Sequence, residues 1–356
     1  MSLDFNPDGK KTILSIDGGG MRGVLPVLLL IALEEQTNKP AYELFDMVAG
    51  TSTGAIIAAG LGLGYSAQEI LDLVYRTRLP AAFQNTGGCA FWFRWLIQNR
   101  FRHQYSLEPF RQSLDDFTGD KRVRDLDKCI VLFTVKDVRT SNTYYVVNEG
   151  PGAAMFGDWP VSGAVAASGA APIYFPPVVG DLIDGGVGVY GNPCLAAAVE
   201  AVDYIGFDPA NTLHYSLGTG YVDNSVAPGR AARYNAIDWL RYVAGEGIDD
   251  AGLQQSLATR AIYSDGRGMD FRRYNPLLEQ TTVENTLGVD TSGIKVRSLG
   301  LDTVAPEAIA LMERIGRAYA ERIDFTLANQ MPWDTVGGRQ KPTIAAVDWS
   351  GSPYAV

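Results

Sequence analysis

A glycine–serine pattern near the N-terminus restricts the fold of this chain more than any other feature. Residues 50–54 read Gly-Thr-Ser-Thr-Gly, which has the form G-x-S-x-G, between a mostly apolar run at 45–49 and a small-residue run at 55–59. This order predicts a buried strand, a sharp turn that carries Ser52, and a helix. The two glycines fit because side chains at their positions would collide across the turn. For the pattern alone, a packed turn without chemistry is the alternative.

The composition bounds the class of protein and its partners. The chain has 356 residues, of which 46% are hydrophobic and 20% are charged, as in ordinary globular proteins. This length allows one large α/β domain or two smaller ones. The formal net charge of -10 and the lack of a Lys/Arg run argue against nucleic acid as a partner. Any lipid contact is therefore expected to be local and apolar.

Cysteine usage and the N-terminal sequence predict a cytoplasmic location. Cys89, Cys129 and Cys194 are far apart and odd in number, which indicates neither a disulfide framework nor a metal site. Residues 1–11 are polar and lack the apolar centre of a signal peptide. The longest uncharged stretches are rich in small residues, unlike the ~20 bulky apolar residues of a membrane span. We therefore expect a soluble protein with at most peripheral contact at a membrane surface.

A second glycine-rich turn, at residues 17–23, follows a predicted strand at 12–16 and precedes a predicted helix at 24–36. Its glycines satisfy G-x-G-x-x-G, so a dinucleotide-binding site is one interpretation. The other is that N–H groups of consecutive glycines at a helix N-terminus hold a negative oxygen. A cation is unfavourable in the first turn of a helix, so Arg22 is expected to contact an acid or a lipid phosphate. A surface ion pair is the alternative for Arg22.

Alternating strand and helix patterns through residue 220 predict an α/β sheet between layers of helices. Further strands are predicted at 129–138, 143–147, 178–183 and 211–217. Helices are predicted at 66–76, 107–117, 158–169, 231–245, 250–264 and 306–329. A further helix is predicted to start with Asn192 as its N-cap and Pro193 as its first residue. Ser66, with Glu69 three residues later, has the sequence of a capping box.

Two regions lack a periodic pattern. Residues 80–105 combine aromatic and arginine side chains, most densely at 91–95. This combination indicates either a lipid-facing flap or an aromatic patch packed on the core. Residues 331–356 contain Pro, Gly and scattered aromatic residues, and we expect this tail to be peripheral or partly disordered.

A serine nucleophile usually works with a histidine base that an acid orients. Of the two histidines, His103 lies in the aperiodic region and His214 lies inside an apolar strand, where a structural role is common. The order Ser52, Asp184, His214 nevertheless suits a catalytic triad. Asp184 ends a predicted strand and precedes two glycines, so its carboxyl group either faces a serine at a neighbouring strand end or forms a simple turn.

Three spaced motifs together give the chain a family resemblance. The glycine turn at 17–23, the G-x-S-x-G at 50–54 and Asp184-Gly185-Gly186 resemble those of the patatin-like phospholipase family. Segments at 167–176, 192–193 and 216–220 are also similar to that family, so the resemblance spans residues 12–220. It implies a three-layer α/β/α sandwich with a mostly parallel central sheet and extra C-terminal helices.

We expect a single domain over residues 1–330, with the family motifs at 12–220, a helical part at 221–330 and a peripheral tail at 331–356. The resemblance implies a lipid acyl hydrolase that uses a Ser–Asp dyad without histidine.

Carried over to this sequence, the resemblance makes Ser52 the nucleophile and Asp184 the general base. Three consecutive glycines would supply the backbone N–H groups of an oxyanion hole, with Arg22 beside it: Gly18, Gly19 and Gly20. The implied substrate is a phospholipid or lysophospholipid ester, and the implied reaction needs no metal and no organic cofactor.

Other interpretations remain open. An acyltransferase would use the same acyl-serine with an acceptor alcohol or thiol. A non-catalytic nucleotide-binding protein would use the loop at 18–23 and would need a ribose-binding acid about 20 residues further on, where Glu43 and Asp46 are nearest. Some bacterial relatives are switched on by cyclic nucleotides, so a nucleotide activator is a further prospect that the sequence does not demonstrate.

Overall fold

The computed structural model describes residues 3–83, 103–222, 226 and 229–327. In this part of the chain, seven strands form one sheet in the order β4-β3-β2-β1-β6-β7, with β5 also paired to β3. The strands are β1 (Lys11–Ile16), β2 (Met47–Gly50), β3 (Ile130–Asp137), β4 (Asn142–Val147), β5 (Leu182–Asp184), β6 (Thr212–Leu217) and β7 (Asp270–Tyr274).

The sheet is mostly parallel. β3 is parallel to β2, β1, β6 and β7. It is antiparallel to β4 and β5, both of which pair with it. β2 ends where Gly50 pairs with Phe133, and β5 then takes over further along β3, where Asp184 pairs with Val135. The carboxyl ends of the parallel strands consequently meet Asp184 at one edge of the sheet.

Helices connect and cover the strands. The described helices are α1 (Val24–Thr37), α2 (Ala41–Leu44), α3 (Thr53–Leu63), α4 (Ala67–Ile70), α5 (Leu79–Ala82), α6 (Leu107–Thr118), α7 (Gly150–Phe156), α8 (Val161–Ser168), α9 (Cys194–Val199), α10 (Ala236–Thr259), α11 (Asp265–Arg267) and α12 (Pro306–Ala320).

Apolar side chains pack on both faces of the sheet and create three layers. On one face, Leu14 and Phe133 belong to a core that includes side chains of α1, α3 and α12. On the other face, Ile13 and Leu132 pack with the alanines of α9, whose small side chains let that helix approach the strands closely. Successive strand residues alternate between the two faces because the side-chain period of a strand is two. The expected α/β/α fold, with extra helices after residue 220, is confirmed.

The strand–turn–helix around Ser52 is also confirmed. Ser52 has φ 56° and ψ -118°, which is rare for a residue with a side chain, and it directly precedes α3. A Cβ atom on Gly50 would lie 2.1 Å from the carbonyl oxygen of Gly54, and one on Gly54 would lie 2.2 Å from the carbonyl oxygen of Ile16. The sharp turn therefore depends on both glycines, as the sequence predicts.

Helix boundaries agree where capping signals are strong. The Ser66–Glu69 capping box is present in full, although the helix it starts continues through a π-helical segment (Leu71–Arg78) into α5. The helix expected from residue 158 begins only at Val161. Pro160 is its N-cap and is extended, and a residue that precedes a proline is disfavoured in a helix.

The strand expected at 178–183 is shorter than predicted. Val179 and Gly180 both have positive φ angles, so the chain turns back and Val178 pairs with Leu182. Only Leu182–Asp184 joins the sheet. A valine with positive φ is not signalled by its residue type, which explains why the sequence pattern suggested a longer strand.

The C-terminal helices differ from the prediction in their bounds. The helices expected at 231–245 and 250–264 are one continuous helix, α10, followed by a π-helical segment (Arg260–Ser264). Glycine costs a helix interior only about 1 kcal/mol, so Gly245 and Gly247, at the gap between those ranges, did not end it. The last helix ends at Ala320, not at residue 329.

Two expected features cannot be compared with the fold. The densest part of the aromatic segment, at 91–95, and the tail at 331–356 lie outside the described residues. The single domain over residues 1–330 likewise stays a prediction. Of the helices in the described ranges, none has the length and apolar character needed to cross a bilayer.

We predict that Gly54→Ala lowers the free energy of unfolding by about 1–3 kcal/mol, because its Cβ would overlap the backbone of β1. Gly252→Ala in α10 is the matched control. Its Cβ would meet only the Cβ of Asn192, at 3.5 Å, so the gain in helix propensity should stabilise the protein by up to about 1 kcal/mol. Urea denaturation of both variants measures the difference, and equal effects would contradict the steric argument.

Candidate active site

Ser52 and Asp184 meet at the carboxyl edge of the sheet. Ser52 lies two residues beyond the end of β2, and Asp184 is the last residue of β5, which extends the pairing of β3 past that point. The Ser52 side chain lies close enough to the Asp184 carboxyl group to lower its pKa as a hydrogen-bond donor. The two residues assigned to catalysis from the sequence are thus neighbours at this edge.

The environment of Asp184 makes it a stronger base than an ordinary carboxylate. Its side chain is buried, and loss of hydration raises its pKa from 3.8 to about 6. Two hydrogen bonds oppose the rise: one from the Gly186 N–H, at 2.7 Å to Oδ1, and one from Ser52. At neutral pH this carboxyl group is mostly ionised yet binds a proton readily.

The end of α8 fixes both residues. The N–H of Ser52 donates to the Ser168 hydroxyl at 2.9 Å, and the N–H of Asp184 donates to the Ala170 carbonyl at 3.1 Å. Ser168 is fully buried. In the sequence, Ser168 is marked only as part of the family-like segment at 167–176. The available signal was a polar side chain at the end of a helix made of small, mostly apolar residues.

Threonine side chains join the turn after β2 to its neighbours. Thr51 Oγ1 lies 2.7 Å from Thr134 Oγ1 of β3 and donates to the Tyr190 carbonyl at 2.6 Å. A Cβ on Gly185 would lie 2.2 Å from Thr134 Oγ1, so the loop after Asp184 can pack on β3 only with glycine there. These contacts join the loops beside the Ser–Asp pair to β3.

The glycine turn lies against Ser52, since a Cβ on Gly18 would be 3.3 Å from Ser52 Cβ. The N–H of Gly18 donates to the Gly191 carbonyl at 2.8 Å. Among the described residues, the N–H groups of Gly19 and Gly20 have no hydrogen-bond acceptor. Of the three glycines assigned to an oxyanion hole, Gly18 therefore has a structural use for its N–H, and the other two keep theirs available.

Arg22 is half-buried, in a short 3₁₀ turn (Gly20–Gly23) that leads into α1. Burial raises the pKa of Asp17, and the charges of Arg273 and then Arg22 oppose this rise; contact of Arg22 itself with an acid stays a prediction. The charge of Arg22 also acts on Tyr174, whose pKa is raised by burial and by Asp302, and opposes that rise. Contact of Arg22 with a lipid phosphate stays a prediction.

Neither histidine joins the pair. His214 is paired with Ile13, three residues before the level of Ile16, which is about 10 Å back from the edge where Ser52 lies. Its Nε2 is 3.0 Å from the Ser15 hydroxyl, and burial, with Arg273 adding to the effect, lowers its pKa to about 3. His214 is consequently a neutral core residue. His103 forms a backbone bridge with Ile173. The structure does not assemble a triad.

The dinucleotide interpretation also lacks its acidic partner. Asp46 precedes β2 and therefore lies at the opposite edge of the sheet from the glycine turn. It accepts hydrogen bonds from the Thr12 N–H, at 2.8 Å, and from Lys11 Nζ, at 2.6 Å. A ribose-binding acid belongs at the carboxyl edge.

Asn192 lies one residue before the N-cap of α9, although the sequence predicts it to be the N-cap itself. α9 begins at Cys194 with Pro193 as its N-cap, so the predicted N-cap at Asn192 is wrong by one position. Asn192 Oδ1 nonetheless accepts from the Cys194 N–H at 3.0 Å, and Nδ2 donates to Ser256 at 2.8 Å. The asparagine thereby ties the start of α9 to α10.

The fold and the site define an α/β protein with a serine on a strained strand-to-helix turn beside a buried carboxyl group. A family model described as Patatin-like phospholipase matches residues 14–198, which is more than half of the chain. The chain belongs to the patatin-like phospholipase family. Membership supports lipid acyl hydrolysis at the level of the family.

Individual relatives are distant. Patatin group M-3, patatin group M-1 and patatin-15 of Solanum tuberosum are each 27% identical over 267 residues, which is 64% of this chain and 66% of theirs. The chain thus spans just under two thirds of the length of these relatives. Among solved structures, VipD from Legionella pneumophila has a TM-score of 0.40 and 14% identity, covering 88% of this chain and 66% of that one. The type III effector protein ExoU has a TM-score of 0.29 and 15% identity, covering 82% and 62%.

We predict that Asp184→Asn changes the pH dependence of stability. The folded protein holds the Asp184 proton up to about pH 6, whereas the unfolded chain releases it near 3.8. Stability is therefore lost as the pH rises between these values, by about 3 kcal/mol. The variant lacks this loss, so its stability relative to the wild type should increase from pH 4 to pH 7.

Urea denaturation at pH 4, 5, 6 and 7 measures this effect. Asp158→Asn, at a side chain that is 72% exposed, is the control and should show no such increase. A constant difference between Asp184→Asn and the wild type over this range would contradict the burial effect.

Proposed function

We propose that the protein is a lipid acyl hydrolase that cleaves fatty-acyl esters of phospholipids or lysophospholipids. One observation carries the proposal: the Ser52 hydroxyl lies beside the buried carboxyl group of Asp184, whose pKa is raised by burial to about 6. A carboxylate with a pKa near neutrality is suited to accept a proton from an attacking alcohol. Membership of the patatin-like phospholipase family supports the class of substrate.

In the proposed acylation step, Ser52 Oγ forms a bond to the ester carbonyl carbon while its proton passes to Asp184. The carbonyl oxygen takes up the negative charge. When the tetrahedral intermediate collapses, the bond to the alkoxy oxygen breaks, and that oxygen receives the proton from Asp184. The lysolipid or glycerol derivative leaves, and the fatty-acyl group remains as an ester on Ser52.

In the proposed deacylation step, water replaces the alcohol. Its oxygen bonds to the acyl carbon, Asp184 accepts a proton from it, and the bond to Ser52 Oγ breaks as that oxygen takes the proton back. A free fatty acid is released and the serine is restored. Both steps use groups of this chain and water.

The available N–H groups of Gly19 and Gly20 are assigned to the developing oxyanion. The absence of an acceptor for them among the described residues and the closeness of the glycine turn to Ser52 support this assignment. Donors in such a position are worth about 10²–10³ each in rate. This contribution matters here because a carboxyl group with a pKa of about 6 is still a weak base for an alcohol.

Peripheral contact with a lipid surface is part of the proposal. Ile173 and Val179, in the segments that lead to β5, are 52% and 87% exposed, and Val187 follows Asp184 with 40% exposed. Exposed apolar side chains beside a candidate lipid site favour such contact. Activation by a cyclic nucleotide stays a prediction.

We predict that Ser52→Ala and Asp184→Asn reduce fatty-acid release from phosphatidylcholine vesicles by about 10³-fold or more, because each removes a reacting group. His214→Gln should keep activity within about threefold when folded, because His214 is not in contact with the pair. Near-UV circular dichroism checks that each variant is folded. A folded but inactive His214→Gln would show that the catalytic site is a Ser–His–Asp triad and not a Ser–Asp dyad.

The same assay separates hydrolase from acyltransferase. Glycerol added as an acceptor alcohol should leave free fatty acid as the main product, whereas a dominant acylglycerol product would favour the transferase. If the wild type releases nothing from any lipid, the assay is repeated with cyclic nucleotides. If no fatty acid is released under those conditions either, the proposed function is contradicted.

We predict that kcat/KM for a soluble fatty-acyl ester rises about tenfold per pH unit below pH 6 and then levels off. The reason is that Asp184, with a pKa of about 6, must be ionised to accept the serine proton. Steady-state kinetics from pH 4.5 to 8.5 measure the profile. A plateau that already begins near pH 4 would contradict the role of Asp184 as base.

A further inference from the structure

Two adjacent arginines on β7 occupy opposite faces of the sheet. Arg272 and Arg273 are both buried, at 8% and 7% exposed, and each pairs with an aspartate. Arg272 binds Asp270, with Nη2 2.6 Å from Oδ2, on its own strand. Arg273 instead reaches Asp17, which opens the glycine turn at residues 17–23. β7 lies outside the residues that the family model matches.

The strand register explains why Arg273 reaches the turn. Ser15, Ser216 and Arg273 lie side by side on β1, β6 and β7. Asp17 is two residues further along the chain than Ser15, so its side chain points to the same face. Arg273 Nη1 donates to Asp17 Oδ1 at 2.7 Å and to the Ser216 hydroxyl at 2.9 Å, and Nη2 donates to Asp17 Oδ2. The guanidinium group therefore holds both carboxylate oxygens.

Other contacts hold the turn at further points. The Asp17 N–H donates to the Leu217 carbonyl at 3.0 Å, Thr219 Oγ1 donates to the Gly18 carbonyl at 2.6 Å, and the Met21 N–H donates to the Leu301 carbonyl at 2.7 Å. The Arg273–Asp17 pair is the charged contact in this set. A bidentate pair fixes the orientation of a carboxylate as well as its position.

We propose that Arg273 is a positioning residue that acts through Asp17 to orient the free N–H groups of Gly19 and Gly20. The proposal rests on the proposed function, in which those groups hold the oxyanion. Arg273 itself touches no substrate. A displacement of about 1 Å in a catalytic group can cost about 10²-fold in rate, so the orientation of this turn bears directly on the chemical step.

Arg273→Lys tests the proposal, with Arg272→Lys as the matched control. Both variants keep a charge, both lose a bidentate pair with an aspartate, and both lie on the same strand at equal depth. Arg273→Lys should lower kcat for a soluble ester about 10–100-fold with KM changed less than about twofold. Arg272→Lys should lose comparable thermal stability and keep kcat within about threefold.

An oxyanion probe sharpens the comparison. A long-chain trifluoromethyl ketone adds to Ser52 Oγ and places a negative oxygen in the hole, whereas the corresponding trifluoromethyl alcohol cannot. Arg273→Lys should weaken inhibition by the ketone by the factor seen in kcat/KM and leave inhibition by the alcohol unchanged. Equal effects of Arg273→Lys and Arg272→Lys on kcat and on ketone inhibition would overturn the proposal.

Amide hydrogen exchange tests the same claim without activity. The N–H groups of Gly18 and Met21 are hydrogen-bonded and should exchange faster in Arg273→Lys than in Arg272→Lys. If the wild type hydrolyses no ester, the proposed function fails, but this comparison still decides whether Arg273 holds the turn. Equal exchange in the two variants would show that it does not.

Ser216→Ala is the second variant if Arg273→Lys does not fold. It removes one acceptor of the guanidinium group and leaves the charge pair in place. It should lower kcat about threefold or more, with KM unchanged and with faster exchange at Gly18 and Met21. Unchanged kcat and exchange in this variant would overturn the proposal.

Discussion

The structure depends on the strand β3, which pairs with two different strands along the same side. β2 occupies the first part of that side and stops at Gly50, and β5 occupies the rest. The place where one partner yields to the other is where the chain can turn outward with Ser52 and bring in Asp184. A longer β2 would fill the space that β5 uses, and the serine and the carboxyl group would then be separated by a strand.

The arrangement of Ser52 and Asp184 has two local free-energy costs. Ser52 has a positive φ, which is unfavourable for a residue with a side chain, and Asp184 carries a carboxyl group into a site poor in water. The surrounding contacts offset both: Ser168 accepts the otherwise unsatisfied N–H of Ser52, and the Gly186 N–H stabilises the ionised carboxyl group. Neighbouring glycines remove the side chains that would collide. These contacts and glycines are therefore what allows Ser52 and Asp184 to keep their positions.

Local signals in the sequence predicted much of this arrangement. Contacts between residues far apart in the chain could not be predicted from such signals. Gly50 and Gly54 restrict the turn by their own sterics, and the Ser66 capping box acts within one helical turn, so both were readable. The pairing of Arg273 with Asp17 depends on the order of strands in the sheet, which no local pattern specifies. The turn at Val179 was missed because its backbone runs against the preference of valine.

The attachment of Met21 to Leu301 has a consequence for how the protein forms during synthesis. A ribosome releases the chain from its N-terminus, at about 5–20 residues per second. The segment that carries the family motifs, residues 14–198, is complete before β6, β7 or Leu301 has been made. About 5–20 s more of elongation are needed to reach residue 301. Until then, the glycine turn of a nascent chain lacks the partners that hold it. The site can therefore be complete only after residue 301 has been synthesised.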